Sequence, residues 1–374
     1  MRVLNVIMCI DPFNGGGSVE RICQLSKYIS HSEHTCTLLT TKKGFNKNRA
    51  SNLGQTDIVT LPYISDRYIF PLGLITWLFK NAKSYDVVHL SMNWSVITAI
   101  TFIYLKLAKK TYYFSAMGWL RIEGRSVLLK YIYRTLITLP LVRSAKKCIA
   151  VSKREVKDYV ASGVSPEKIE YIPNGIESKE FLEDDSGIHF RKKYNIDTRP
   201  IILFIGRIDP IKGPDLLLRA FGKFSKDFPN YQLIIAGNNL GFLSKVKAES
   251  KSLKLENKVT FLGPIIGKDK LSAYHSAKLF VIPSRFDSMT IVALEAASSG
   301  SPILITKECD FSELAESSSG LEVGANESEI EEGIRFALSG NVDLDSMSNN
   351  ARNFVIKNYD WNIISKKFIK VFSK

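Results

Sequence analysis

The 374-residue chain is poor in cysteine and histidine, with five of each. Cys9, Cys23, Cys36, Cys148 and Cys309 are odd in number and scattered, and they form no CxxC pair and no Cys/His cluster. That argues against a disulfide framework and a structural zinc, and it fits a reducing cytoplasm. No run of about 18 uncharged apolar residues occurs, so no membrane span is expected. The first apolar run, "VLNVIMCI", is soon cut by Asp11 and Pro12, and it reads as a buried strand rather than a secretory leader. No internal repeat and no low-complexity tract is visible. A DxD near a strand end is also missing, because "DLD" at 343–345 falls in a late polar stretch.

Positive charge and strand-like runs are what the chain has in quantity. Its formal net charge is +14. Residues 100 to 157 carry 13 Lys or Arg against two acids, Glu123 and Glu155, a net of +11. The same window holds large apolar residues such as Phe102, Ile103, Leu128, Leu129, Tyr131 and Ile132. A basic and apolar surface suits an anionic membrane face, where each basic residue contributes about 1 kcal/mol. The plainer alternative is a solvated face over ordinary core helices. Nucleic acid is not expected as a partner, since no known reader motif is present.

The length suits two domains of roughly 150 to 200 residues. Short apolar runs ("DVVHL", "TYYFSA", "KCIAVS", "PIILFIG", "YQLIIAG", "LFVIPS", "SPILIT") alternate with helical stretches at 18–30, 95–109, 126–139, 153–162, 213–227, 241–253 and 268–276. Unalternating runs between helices predict parallel strands buried on both faces. The expected fold is therefore α/β, with two Rossmann-like doubly wound domains and a central cleft. The polar stretch between Pro173 and Pro200 marks the boundary. The expected division is 1–180, 181–357 and a C-terminal helix at 358–374, where Trp361, Ile364, Phe368 and Val371 have helical spacing.

Three stretches carry chemistry. In "PFNGGGSVERI" glycines follow the first strand and open a helix, where backbone N–H groups attract negative charge; a structural turn explains them equally well. In "LFIGRIDPIKGPD", Gly206 and Arg207 leave the end of a buried strand, and Lys212 and Gly213 precede the next helix. Ligands of open α/β sheets bind outside such strand ends. An Arg fork and a Lys point charge there can straddle a diphosphate, although two surface cations beside a turn would look the same. In "PSRFDSMTIVALEAASSGSPILIT", Asp287 and Glu295 stand eight residues apart. A helix beginning near Ser288 would place Asp287 at its mouth, facing a sugar hydroxyl, and Glu295 about two turns in, facing a ribose diol. The alternative reading makes Asp287 a helix N-cap and Glu295 a buried, paired acid.

Together, Gly15-Gly16-Gly17 with Glu20, "YIPNGI" (171–176), "GR…KG" (206–213), "FLG" (261–263) and "PSRFDSMTIVALEAASSGSPIL" resemble the landmarks of family 4 retaining glycosyltransferases, in order and across nearly the whole chain. The family's E-x7-E motif matches at Asp287 and Glu295, with aspartate first. The resemblance implies the GT-B fold, an N-terminal acceptor-binding half, a C-terminal nucleotide-sugar-binding half, and a last helix that crosses back onto the first domain. It implies diphosphate contacts from Arg207 and Lys212, ribose contacts from Glu295, and contact of Asp287 with the transferred sugar. Gly206, Ser288, Met289 and Thr290 would complete the donor site, the last two through backbone N–H groups. Gly16 and Gly17 would lie near the diphosphate or acceptor. His89, Met117 and Asn174 are the expected acceptor-side positions.

Two departures stand out. Met117 replaces a histidine common in the family, and "DSMT" replaces the usual "EGFG". The implied reaction is retaining and needs neither metal nor cofactor. A UDP- or GDP-sugar is the expected donor. The expected acceptor is a glycan or polyprenyl-linked glycan of lipopolysaccharide, capsule or exopolysaccharide synthesis. The protein would sit in the cytoplasm, peripheral on the anionic inner-membrane face. A nucleotide-sugar 2-epimerase of the same fold and a non-catalytic nucleotide-sugar-binding partner are the alternatives.

Overall fold

In the computed structural model, residues 1–11, 16–118, 120–122, 126–182 and 186–374 are described, the side chains of Asn48 and Arg49 excepted. The chain divides into two compact units: Met1–Asn174 with Trp361–Lys374, and Gly175–Asp360.

Among the described residues, the main sheet of the first unit has seven strands: β1 (Arg2–Val6), β2 (Thr35–Thr41), β3 (Asp57–Leu61), β4 (Val87–Ser91), β5 (Tyr113–Ser115), β6 (Lys147–Ala150) and β7 (Ile169–Tyr171). Their order is β3-β2-β1-β4-β5-β6-β7, and every pair is parallel. All of β4, and all but the first residue of β1 and β2, are buried. Successive side chains go to opposite faces. Leu4, Val6, Leu39, Val88 and Leu90 join one apolar cluster, and Val3, Leu38, Val87 and Tyr113 join the other. Helices cover both faces, which is why the strands read as continuous apolar runs.

The helices used below are α1 (Gly16–Ser30), α2 (Leu74–Asn81), α3 (Val96–Leu107), α4 (Val127–Tyr133) and α5 (Lys153–Ala161). After α4, the chain passes through a π-helical turn at Arg134–Thr138 into a further helical stretch, Leu139–Ser144. A small antiparallel hairpin pairs Tyr63–Ile64 with Phe70–Pro71.

The second unit repeats the plan. Its strands are β8 (Ile201–Ile205), β9 (Gln232–Ala236), β10 (Val259–Leu262), β11 (Ala277–Ile282), β12 (Ile303–Thr306) and β13 (Leu321–Val323), in the order β10-β9-β8-β11-β12-β13 and all parallel. Among its helices are α6 (Pro214–Asp227), α7 (Gly267–Ser276) and α8 (Ile291–Ser299). In both sheets the connection reverses direction beside the first strand of the unit. The crevice outside the strand ends at such a switch point is where an open α/β sheet binds ligands. The second unit's switch point lies between β8 and β11.

The last helix, α9 (Trp361–Phe372), belongs to the first unit. Trp361, Ile364, Phe368 and Val371 are buried, and Trp361 stacks on Tyr28 of α1 with ring centroids 6.1 Å apart. The division falls at 174/175 and 360/361 rather than at 180/181 and 357/358. Residues 175–180 are held by the second unit's own contacts. The Ile176 N–H donates to the Tyr359 carbonyl at 2.9 Å, and the Ser178 hydroxyl donates to Asp360 at 2.5 Å.

Candidate active site

At the second unit's switch point, β8 delivers Gly206 and Arg207, and β11 delivers the loop from Pro283 to Thr290. Gly213 lies in the left-handed region (φ +68°), and a Cβ there would stand 2.1 Å from the Pro283 carbonyl oxygen. Only glycine lets the two loops approach that closely. A Cβ on Gly237, after β9, would stand 1.7 Å from the Gly206 oxygen.

These approaches bring the cations together. The Arg207 Nε lies 3.3 Å from Asp209 Oδ2, with its side chain nearly half exposed. The other Asp209 oxygen accepts the Lys212 backbone N–H at 2.9 Å. Lys212 Nζ pairs with Asp287 Oδ2, and both side chains are mostly buried. Asp209 thus sets the turn that carries Lys212, and Lys212 and Asp287 face each other directly.

Arg285 fixes the same turn from the β11 side. Its backbone N–H donates to the Ile211 carbonyl at 2.7 Å, and its Nη1 donates to the Pro210 carbonyl at 2.6 Å. Its guanidinium also grips both oxygens of Asp215, at 2.8 and 2.7 Å. Desolvation pushes the Asp215 carboxyl upward, but Arg285 and Arg219 outweigh it and hold the carboxyl below its ordinary range. The sequence reading missed Asp209, Arg285 and Asp215. The one available signal was their position beside residues already singled out.

The loop before α8 departs from expectation. The helix begins at Ile291, with Thr290 at its N-cap, not near Ser288. Met289 has φ +53° and cannot continue a helix. The N–H groups of Asp287 and Met289 donate to the carbonyls of Glu308 and Cys309, each at 3.0 Å. The Ser288 N–H donates to Asp287 Oδ1 at 2.9 Å. The expectation that the Met289 N–H faces a donor is therefore corrected: that group is used inside the protein. Thr290 and the first turn of α8 remain as the source of helix N-terminal N–H groups.

Glu295 lies four residues into α8, a little over one turn rather than two. Both of its oxygens are engaged. Lys270 Nζ reaches Oε1 at 2.6 Å and Oε2 at 2.5 Å, and the Tyr274 hydroxyl donates to Oε2 at 2.7 Å. Lys270 and Tyr274 lie on α7. In this state Glu295 is the buried, paired acid of the plainer reading.

In the first unit the expected acceptor-side residues are used internally. His89 lies within β4, opposite Asn5 of β1, and is fully buried. Its Nδ1 is 2.9 Å from Asn5 Oδ1 and its Nε2 is 2.7 Å from the Ser115 hydroxyl. Burial lowers its pKa to about 3, so it is neutral near pH 7. The expected cleft histidine is a satisfied core residue.

Asn174 Oδ1 accepts from Arg21 Nη1 at 2.9 Å. Arg21 is fully buried and also donates to the Pro173 and Ile172 carbonyls at 2.6 and 2.7 Å. Asn174 is therefore part of the Arg21 scaffold, which corrects the acceptor-side expectation. Met117 is buried with φ +57° and starts the turn after β5. The Gly118 N–H donates to Glu155 Oε1 at 2.6 Å, and the Val151 N–H donates to Oε2 at 2.7 Å. Glu155 is the third residue of α5, which Ser152 caps. That S-x-x-E spacing is a helix-start signature and was the signal available for Glu155. Burial raises the Glu155 pKa to about 7, against the lowering effect of its hydrogen bonds and of Arg21. Gly16 (φ +57°) and Gly17 open α1, while Gly15 lies outside the described residues.

Among the described residues, no three His, Cys, Asp or Glu side chains gather as a metal site requires. No helix among them is long and apolar enough to cross a membrane.

This double sheet with shared switch-point topology is the GT-B glycosyltransferase fold. The Anabaena protein HepE, crystallised with UDP-glucose, superposes with a TM-score of 0.82 at 18% identity, covering 100% of this chain and 99% of that one. WaaG, a glycosyltransferase involved in lipopolysaccharide biosynthesis, superposes at 0.72 with 17% identity and 99% coverage of both chains. Residues 188–354 match the model of the glycosyl transferases group 1, and residues 15–180 match that of glycosyltransferase family 4. The chain belongs to this glycosyltransferase family. An uncharacterized glycosyltransferase of Methanocaldococcus jannaschii is 32% identical over 60% of this chain and 59% of its own length. A D-inositol 3-phosphate glycosyltransferase of Acidothermus cellulolyticus is 27% identical over 45% of this chain and 39% of its own. The matches thus span less than two thirds of these relatives.

Proposed function

We propose that this protein is a retaining glycosyltransferase that moves a sugar from a nucleotide-diphosphate sugar, without a metal, onto a glycan or lipid-linked glycan. The observation that carries this reading is the set Arg207, Lys212 and Asp287 gathered at the β8/β11 switch point beside the N-terminus of α8. Two cations and free helix N–H groups at a strand end form a diphosphate-binding arrangement. Arg207 and Lys212 would stabilise the charge that develops on the leaving diphosphate. Asp287 would pass from Lys212 to a sugar hydroxyl as phosphate takes its place on the lysine. Glu295, now paired with Lys270 and Tyr274, would exchange one of those contacts for the ribose. The leaving phosphate oxygen would take the acceptor proton, so no protein base is assigned. UDP is the favoured nucleotide, because HepE is seen with UDP-glucose. The lipopolysaccharide role of WaaG supports a cell-surface polysaccharide acceptor. The basic, apolar first half of the chain supports an acceptor presented at an anionic membrane.

The test is a thermal-shift panel of UDP, GDP, ADP, CMP and their sugars, with EDTA, on wild type and Arg207→Ala. A ligand at 100 times its Kd stabilises by about 2.7 kcal/mol. The expected result is a shift with one nucleotide family, abolished in Arg207→Ala, followed by transfer from that sugar nucleotide to an added acceptor. No shift with any nucleotide and no transfer would overturn the reading.

A further inference from the structure

The first unit exposes large apolar side chains in quantity, and they gather on connected elements. None of the seven residues of α4 is buried. Leu128 is 74% exposed and Leu136, in the following π-helical turn, 66%. Neighbouring elements continue the pattern: Phe79 on α2 is 68% exposed and Leu107 at the end of α3 is 81% exposed. Ile64 and Phe70 of the hairpin are exposed as well.

Specific contacts join these pieces. Phe79 packs edge-on against Tyr104 of α3, with ring centroids 5.1 Å apart. The Tyr133 hydroxyl of α4 donates to the Ser95 carbonyl, at the start of α3, at 3.0 Å. Arg67 of the hairpin loop donates to the Ser126 hydroxyl, just before α4, at 3.2 Å. A helix that buries neither of its leucines gains little from its own fold, so something else must explain these apolar residues.

Charge identifies the partner. Lys80, Lys106, Lys130 and Arg134 stand on these same elements, and Lys109 lies in the turn just after α3. Residues 64–83 and 95–145 contain only two acids, Asp66 and Glu123, and Glu123 lies outside the described residues. Lys130 lies over the Trp94 ring at 5.7 Å, so its charge stays beside the apolar residues. Leucines interleaved with basic residues on a helix too short to span a bilayer match an interfacial helix on anionic lipid.

We infer that the face built from the hairpin, α2, α3 and the 127–144 helical stretch is a docking surface for an anionic lipid bilayer, with Leu128, Leu129 and Leu136 inserted at headgroup depth. This deepens the membrane-side acceptor proposed above and depends on it only for its purpose. The inserted leucines make the contact partly hydrophobic, so it outlasts the salt that screens charge alone.

The test uses the full chain with vesicles of phosphatidylcholine and phosphatidylglycerol at about 7:3, which carry the negative surface potential of an anionic leaflet. Wild type is expected to co-sediment and to keep most of its binding in 0.5 M salt, where the Debye length is only a few Å. The triple variant Leu128→Ser/Leu129→Ser/Leu136→Ser is expected to bind at least tenfold more weakly, with its UDP thermal shift unchanged. All five native cysteines are buried, so Leu128→Cys accepts an environment-sensitive dye selectively. That dye is expected to shift to the blue on vesicle addition, and the same dye on Lys251→Cys in the second unit is not.

Failure of wild type to bind vesicles, equal binding by the triple variant, or a Leu128 dye that stays in water would each overturn the inference. Self-association of wild type that the triple variant abolishes, without vesicle binding, would also overturn it and assign the face to a second copy. Vesicle binding without sugar transfer would uphold this face while removing the enzymatic reading. Transfer to a soluble acceptor without vesicle binding would do the reverse.

Discussion

The two units share one topology and use charge in opposite ways. Around the first unit's central strands, Arg21, His89 and Glu155 are buried and bonded to backbone or to neutral partners. At the second unit's switch point, Arg207 pairs with Asp209 and Lys212 with Asp287, both at the strand end. A charge enclosed by fixed partners is scaffold, because removing its partner leaves an uncompensated buried group. A charge pair at an open strand end is exchangeable, because an incoming anion can replace the carboxylate. The same doubly wound plan thus yields a first unit with enclosed polar groups and an apolar outer face, and a second unit whose Lys212–Asp287 pair can change partners.

The sharpest way to break this comparison is at Arg21. Arg21→Ala strands the Ile172 and Pro173 carbonyls and Asn174, and is expected to cost about 3–5 kcal/mol of stability, read in urea unfolding. A loss below 1 kcal/mol would show that the buried charge is not scaffold. In the second unit the expectation is reversed. Lys212→Ala should lower kcat about 10²–10³-fold while the melting temperature stays near wild type. A large loss of stability there would make the Lys212–Asp287 pair structural.

The next effect depends on pH. His89 has a lowered folded pKa, about 3, so between there and its ordinary 6.5 the unfolded state binds the extra proton and stability falls as pH falls. Glu155 has a raised folded pKa, about 7, so between its ordinary 4.5 and there the folded state holds the extra proton and stability falls as pH rises. The two slopes oppose each other between pH 4.5 and 6.5, each worth about 1.4 kcal/mol per pH unit. Glu155→Gln should therefore lose stability on acidification over this range, and His89→Asn should gain it. Parallel curves for the two variants would remove both assignments.

Arg285→Ala releases the 210–212 turn and Asp215, and should raise the donor KM about tenfold with a smaller change in kcat, since one tenfold step is about 1.4 kcal/mol. Arg285→Lys, which keeps the charge but not the fork, should recover little of it. The smallest effect belongs to Tyr274→Phe. Losing one hydrogen bond to Glu295 should cost about 1 kcal/mol, or slightly more donor affinity if Tyr274 orients the ribose contact. No change in either would leave Lys270 as the sole holder of Glu295.

The sequence by itself determined the strands, most of the long helices and the order of the landmarks. Apolar runs buried on both faces and helices at period 3.6 are local properties, so β8, β11, α6 and α9 stood where their residues predicted. It also determined that Arg207 and Lys212 lie at a strand end, because a parallel strand followed by a helix leaves one place for the connecting loop.

Only the tertiary structure decided what each polar group touches. Glu295 meets Lys270 and Tyr274 from a helix more than 20 residues away in the chain, and Arg285 grips Asp215 across 70 residues. His89 looked like a strand-end histidine until Asn5 and Ser115 closed on both of its ring nitrogens. Such pairings depend on which loops the sheet register brings side by side, and single-residue spacing carries no record of that. For Leu128 and Leu129 the sequence left open a membrane-facing surface or ordinary core helices, because an apolar helical stretch reads the same whether it faces a core or the solvent; their exposure decided it.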